Sequence, residues 1–193
     1  MKKVIMVMIA ALTVSSAAYA KDMSFSVEAK GGMTNSSIEP TEYTSVEDGN
    51  NYGLAVEARF LENWAVELQY LKSSMSYELG SMDTDFDLTS ISLYGGYYFE
   101  FGNGLYIKPK AGISKNDGDA SISYTEAHAE SHSYYTRQYT YSTYTSSIDL
   151  SETEFSCGVS VGYAFNENFS VALDLVYLGE DLTTAEIGAK YTL

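Results

Sequence analysis

Glu126, His128, Glu130 and His132 fall at alternate positions of one segment, which puts imidazoles and carboxylates on one face if the chain there is extended. Such groups ligate zinc and related metals. Residues four apart on a strand, however, lie roughly 13 Å from each other, so one ion cannot take both His128 and His132 without a bend. The competing reading is a run of exposed polar residues. These are the only two histidines in the chain, and neither a nucleophile elbow nor a lipase signature accompanies them. The sequence therefore argues against an enzyme and implies no cofactor. Cys157 is the only cysteine, so no intramolecular disulfide forms, and its neighbours Phe155 and Val159 mark it as a small apolar side chain.

A second set of charges is spread along the chain. Glu28, Glu57, Glu67, Asp174 and Glu186 stand against Lys30, Arg59, Lys108, Lys110 and Lys190, each inside an alternating apolar run. Five of either sign is what an enclosed polar space requires, because buried charges persist only when paired.

The elements that carry these charges are strands. Over 52–60, Tyr52, Leu54, Val56, Ala58 and Phe60 occupy one face with Gly53, Ala55, Glu57 and Arg59 on the other, a period of two that no helix can have. The pattern restarts at Trp64 after three residues, which makes a hairpin. The same signal recurs at 25–30, 90–99, 105–113, 155–165, 169–177 and 185–193, giving eight strands. Pro109 sits inside one of them and removes a ladder donor there. Links near Glu62-Asn63, Gly102-Asn103-Gly104 and Asn166-Glu167-Asn168 are short, whereas the alternate links are longer and the one at about 115–153 is very long.

The first twenty residues run from Lys2 and Lys3 through an apolar stretch to Ala18-Tyr19-Ala20, the pattern of a secretory signal cleaved after Ala20. Loss of the two lysines takes the formal charge of the 193-residue chain from −15 to −17, which argues against nucleic acid as a partner. No later segment is apolar for the roughly 20 residues that a spanning helix needs, so any membrane crossing must use strands.

Alternation alone fits two barrels: a soluble lipocalin-like carrier with its apolar face inward, or a membrane barrel with that face outward. Banding of Tyr52, Phe60, Trp64, Tyr70, Tyr97, Phe99, Tyr163, Phe165, Phe169, Tyr177 and Tyr191 at strand ends favours the membrane, where aromatic girdles lie at the two interfaces. With FLENWAVELQY, LYIKPKAGIS, CGVSVGYAFNENFSVALDLVY and the terminal IGAKYTL in this order behind the leader, residues 21–193 resemble the small outer-membrane β-barrel family that includes outer membrane proteins A and X. The resemblance implies an eight-stranded antiparallel up-and-down transmembrane barrel in the outer membrane, and a monomer is expected. It also implies a terminal signal read by the barrel-assembly machinery. Tyr191 matches that signal; Leu193 replaces the usual terminal phenylalanine.

Eight strands leave an interior just filled by side chains, so the expected lumen is plugged by paired charges with no wide pore. Function then belongs to the outer loops. These are strongly acidic and would attract divalent cations bridging to lipopolysaccharide, or basic partners. The longest is rich in residues that favour strands and is expected to project as a hairpin. On it Tyr124, Tyr134, Tyr135, Arg137, Tyr139, Tyr141 and Tyr144 offer an edge or stacking surface to an extracellular protein or glycan. A structural or surface-interaction role is the leading reading, an adhesin or ligand-binding barrel the second, and a lipid-modifying outer-membrane enzyme a further alternative.

Overall fold

Alternation of apolar with small or polar residues is written into the part of each long strand nearest the short turns, and the chain folds accordingly. The computed structural model describes residues 23–36, 44–46, 49–79, 82–130, 138–179 and 182–193. Within them eight long strands form the barrel: β1 Ser24–Ser36, β2 Gly49–Phe60, β3 Trp64–Leu79, β4 Met82–Tyr97, β5 Leu105–Glu130, β6 Gln138–Ala164, β7 Phe169–Leu178 and β8 Leu182–Thr192. Each pairs antiparallel with its neighbour in sequence, and β1 closes the ring on β8. Two three-residue strands, Thr44–Val46 on β3 and Phe99–Phe101 on β5, extend the sheet.

The register fixes the geometry of closure. Starting at Ser24, successive partners are Arg59, Ala65, Gly96, Lys110, Gly158, Val176 and Thr184, and the path returns to β1 at Thr34, ten residues up the strand. An even offset is obligatory, because an odd one would turn inward residues outward at the seam. Eight strands with this offset tilt by about 40° and enclose a backbone cylinder of roughly 8 Å radius, which side chains fill.

The short connections are tight turns. Leu61 and Glu62 adopt positive φ of 47° and 63° in the β2–β3 turn, and Gly104, at φ 89°, closes the turn before β5. Pro109 has a definite place. Pairing between β4 and β5 ends at Gly96 opposite Lys110 and resumes at Phe99 opposite Ile107, so the proline lies where the ladder is interrupted. The N–H of Tyr98, freed by that gap, donates instead to the Asn63 carbonyl at 2.8 Å. No ladder hydrogen bond is therefore sacrificed to the missing proline donor on the β4 side.

β5 and β6 pair from Leu105 opposite Tyr163 up to Glu130 opposite Gln138. A membrane crossing takes about 9–11 residues, so roughly 15 residues of each strand, some 50 Å of chain, continue past it. The expected projecting hairpin is thus present as a backbone ladder. β4 accompanies β5 as far as Asp83 opposite Ser123, and β7 leaves β6 at Ser156.

Candidate functional site

Inward positions carry the charges. Glu28, Lys30, Glu57, Glu67, Lys108, Lys110, Asp174, Glu186 and Lys190 are all buried, whereas Leu54, Val66, Leu93, Ile113, Phe155, Leu173 and Ile187 are exposed on the outer wall. A water-soluble barrel has the opposite polarity, so the lipocalin-like alternative is excluded by the placement of these side chains.

The nine charges make one network. Glu67 is its hub, accepting hydrogen bonds from Lys108 at 2.5 Å, Lys110 at 2.9 Å and Lys30 at 3.3 Å. Toward the short turns, Lys108 also reaches Glu57 at 2.6 Å; Lys190 reaches Glu57 at 3.1 Å and the Tyr98 hydroxyl at 2.7 Å, and that hydroxyl donates to Glu57 at 2.6 Å. Toward the outside, Asp174 receives Lys30 and, at 3.0 Å, Lys110, while Gln69 donates to Glu186 at 2.9 Å. Glu28 lies 4.0 Å from Lys30 and 3.9 Å from Lys190.

Arg59 departs from the expected balance of five and five. Its side chain is 27% exposed and stands at the mouth on the short-turn side, paired with Glu100 at 2.7 Å and stacked over the Tyr98 ring. It lies too near the end of β2 to enter the enclosed space, which leaves, among the described residues, five carboxylates with four lysines there. Sequence reasoning also missed the neutral members Tyr94, Tyr98 and Gln69. Their signal was inward parity, which Gln69 shares with Glu67 on β3, and Tyr94 and Tyr98 share with the buried Ser90 and Ser92 of β4.

The outer wall carries an aromatic band near the short turns. Trp64 meets Tyr97 edge-on at 5.1 Å, Tyr97 meets Phe99 at 4.9 Å, Tyr163 meets Phe165 at 5.1 Å and Phe165 stacks on Phe169 at 5.7 Å. Tyr191 and Leu193 are exposed in the same region.

Above the apolar wall the outward-parity positions become acidic. Asp87 stands opposite Asp119, and Asp119 opposite Asp149. Asp117 is held by Lys115 at 2.7 and 2.8 Å and by the Ser151 hydroxyl at 2.5 Å, which together keep its carboxyl below the usual carboxylate range. On the hairpin, Tyr139 pairs with Ala129, Tyr141 with Ala127, Tyr124 with Tyr144 and His128 with Thr140. Tyr134, Tyr135, Arg137 and His132 lie outside the described residues. Among the described residues, no group of three or more His, Cys, Asp or Glu is placed to hold a metal ion.

The sequence profile of the outer membrane protein beta-barrel domain matches residues 6–131. The chain belongs to that family. This outer-membrane barrel also shares its fold with solved structures. A major outer membrane protein from Thermus thermophilus is 16% identical, with TM-score 0.59, covering 89% of this chain and 99% of that one. Ail, the attachment invasion locus protein of Yersinia pestis, solved in complex with the heparin analogue sucrose octasulfate, is 15% identical with TM-score 0.54, over 89% and 98% of the two chains. Neisserial surface protein A is 18% identical with TM-score 0.50, over 86% and 96%. No protein of curated function matches the sequence. Family and fold place this barrel in the outer membrane, with its eight strands as the membrane-crossing elements.

Proposed function

We propose that this outer-membrane barrel is a non-conducting, non-enzymatic surface protein whose lumen is plugged by its own charges and whose outer hairpin does the interacting. The observation that carries the reading is the hub at Glu67: three lysines, on β1 and β5, converge on one carboxylate of β3 in a cylinder too narrow for a side-chain-free path. Buried pairs of this kind cross-link the wall, and each charge is costly to leave unpartnered. Reconstitution into planar bilayers tests it. Closed membranes, or conductance far below that of a general porin, are expected; currents of porin size would sink it.

Residues 1–20 serve in this reading as the export leader, and Tyr191 with Leu193 as the mark read by the assembly machinery. Both terminal side chains are exposed on the wall, open to such a reader. The mature chain works as a monomer embedded in outer-membrane lipid and lipopolysaccharide.

The length of the β5–β6 ladder favours a ligand-binding role on top of the structural one, since the crossing alone needs well under half of it. Ail's complex with a sulfated sugar makes a glycan one candidate. Charge argues for a different ligand here. Asp87, Asp119 and Asp149 are neighbours in the register and would repel a polyanion, so a basic extracellular protein suits this surface better. Binding of the folded barrel to lysine-rich and to sulfated probes at low salt separates the two: retention of the basic probe alone is expected, and retention of the sulfated probe alone would reverse the assignment.

A further inference from the structure

The inward residues change character in layers along the barrel. Read upward from the periplasmic turn, β3 presents Ala65, Glu67, Gln69, Leu71 and Ser73, and β7 presents Ser170, Ala172, Asp174, Val176 and Leu178. The middle of both lists is the charged network. Above it Leu71, Tyr94, Val176 and Leu178 pack together, each only 1% exposed, with Leu182 against them. The Tyr94 ring covers the Lys110 ammonium at 5.0 Å, and its hydroxyl turns to Ser156 at 2.9 Å. The network therefore ends upward against an apolar collar.

Its lower end is different. A cavity of about 350 Å³ at the periplasmic mouth is lined by Glu57 and Lys190 of the network together with Arg59, Tyr98, Ser26 and Ser170. Within the network, Ser160 is buried beside Asp174 in the register and its hydroxyl has no hydrogen-bond partner.

A hydrated ion entering from below meets carboxylates, ammonium groups and hydroxyls that can replace its water. Entering from above, it must pass the packed side chains of Leu71, Val176 and Leu178 and the Tyr94 ring, which replace none, while the Tyr94 hydroxyl is already engaged with Ser156 and Ser114 at 2.9 and 3.3 Å; stripping an ion of water without compensation is costly.

We propose that the apolar collar of Leu71, Tyr94, Val176 and Leu178 is the permeability barrier of this barrel, and that the charged network below it communicates with the periplasm alone. The proposal rests on the closed-lumen reading but relocates the closure from the charges to the collar. Five carboxylates against four lysines give the space below the collar a cation preference once the barrier is lifted.

The test compares the full chain with a collar variant, Leu71→Asn with Leu178→Asn, and with a charge-pair variant, Glu57→Gln with Lys190→Gln, after heat-dependent gel mobility shows each to be folded. Small cation-selective currents from the collar variant and none from the charge-pair variant are expected. A silent collar variant, or currents from the charge-pair variant alone, overturns the proposal, whereas porin-sized currents from the unsubstituted chain overturn the closed-lumen reading itself. Should the collar variant fail to fold, sided labelling decides. In a Cys157→Ala background, Ser160→Cys is expected to react with a small charged thiol reagent roughly tenfold faster from the periplasmic side than from outside, the collar imposing the dehydration barrier on the latter route. Faster reaction from outside, or none from either side, overturns it.

Discussion

A single carboxylate, Glu67, holds three ammonium groups, and its neutralisation leaves all three short of a partner. Glu67→Gln is expected to destabilise the barrel by about 3–5 kcal/mol, the range for breaking a buried pair from one side, read as a lower urea midpoint for loss of the heat-modifiable folded form. Outside the membrane a milder effect is expected at Asp117. Its carboxyl titrates below the usual range because Lys115 and Ser151 bond its charged form, so its contribution is present above the ordinary aspartate pKa and disappears as pH falls through the lowered value. Lys115→Gln should return the Asp117 midpoint toward 3.8 in an NMR titration; an unmoved midpoint would deny the pairing. The inward charges were legible because each sits at a fixed parity in an alternating strand. Arg59 has the same parity, but alternation says nothing about height along the axis, and height is what separates the mouth from the enclosed space. Leu71 and Leu178 were hidden for a related reason: an apolar residue on the polar face looks like noise until the neighbouring strands bring several such residues to one level.

Strand by strand, period-two alternation located all eight crossings, and the three short turns followed from Gly, Asn and Glu clusters. Pro109 read as a defect in sequence and is accommodated by an interruption that no single-strand pattern encodes, since the compensating carbonyl belongs to Asn63 in another turn. Gly104 is a more rigid requirement. At φ 89° its added Cβ would sit 2.6 Å from the Ala164 carbonyl oxygen, so Gly104→Ala is expected to cost about 1–2 kcal/mol and lower the folded yield, measured by gel mobility. The β5–β6 hairpin is a separable element. Gly118 and Leu150 are direct partners, and joining them by an Asn-Gly turn in place of 119–149 should leave a heat-modifiable barrel of unchanged conductance while abolishing retention of a basic probe. Loss of the folded form instead would mean that the ladder above the membrane stabilises the crossing below it.

At the scale of the whole molecule, orientation of the wall is the claim on which the rest depends. The register path from Ser24 to Thr34 closes eight strands with all inward positions in phase, and polarity does the rest: charges inside, aliphatic and aromatic side chains outside. Alternation is identical in a soluble and a membrane barrel; aromatic banding, balanced charges and the leader pointed to the membrane in the sequence, and side-chain placement with the family match bears that out. The long acidic hairpin was legible as strand-forming from its Tyr, Thr and Ser content. One residue reports directly on the wall. Trp64 is the only tryptophan, 51% exposed and packed edge-on against Tyr97 in the band near the periplasmic turns. In vesicles containing brominated lipids its fluorescence is predicted to be quenched, most strongly by bromines near the headgroup end of the acyl chain, as for a side chain in an interfacial girdle. Emission untouched by bromine at any depth would contradict a lipid-facing wall.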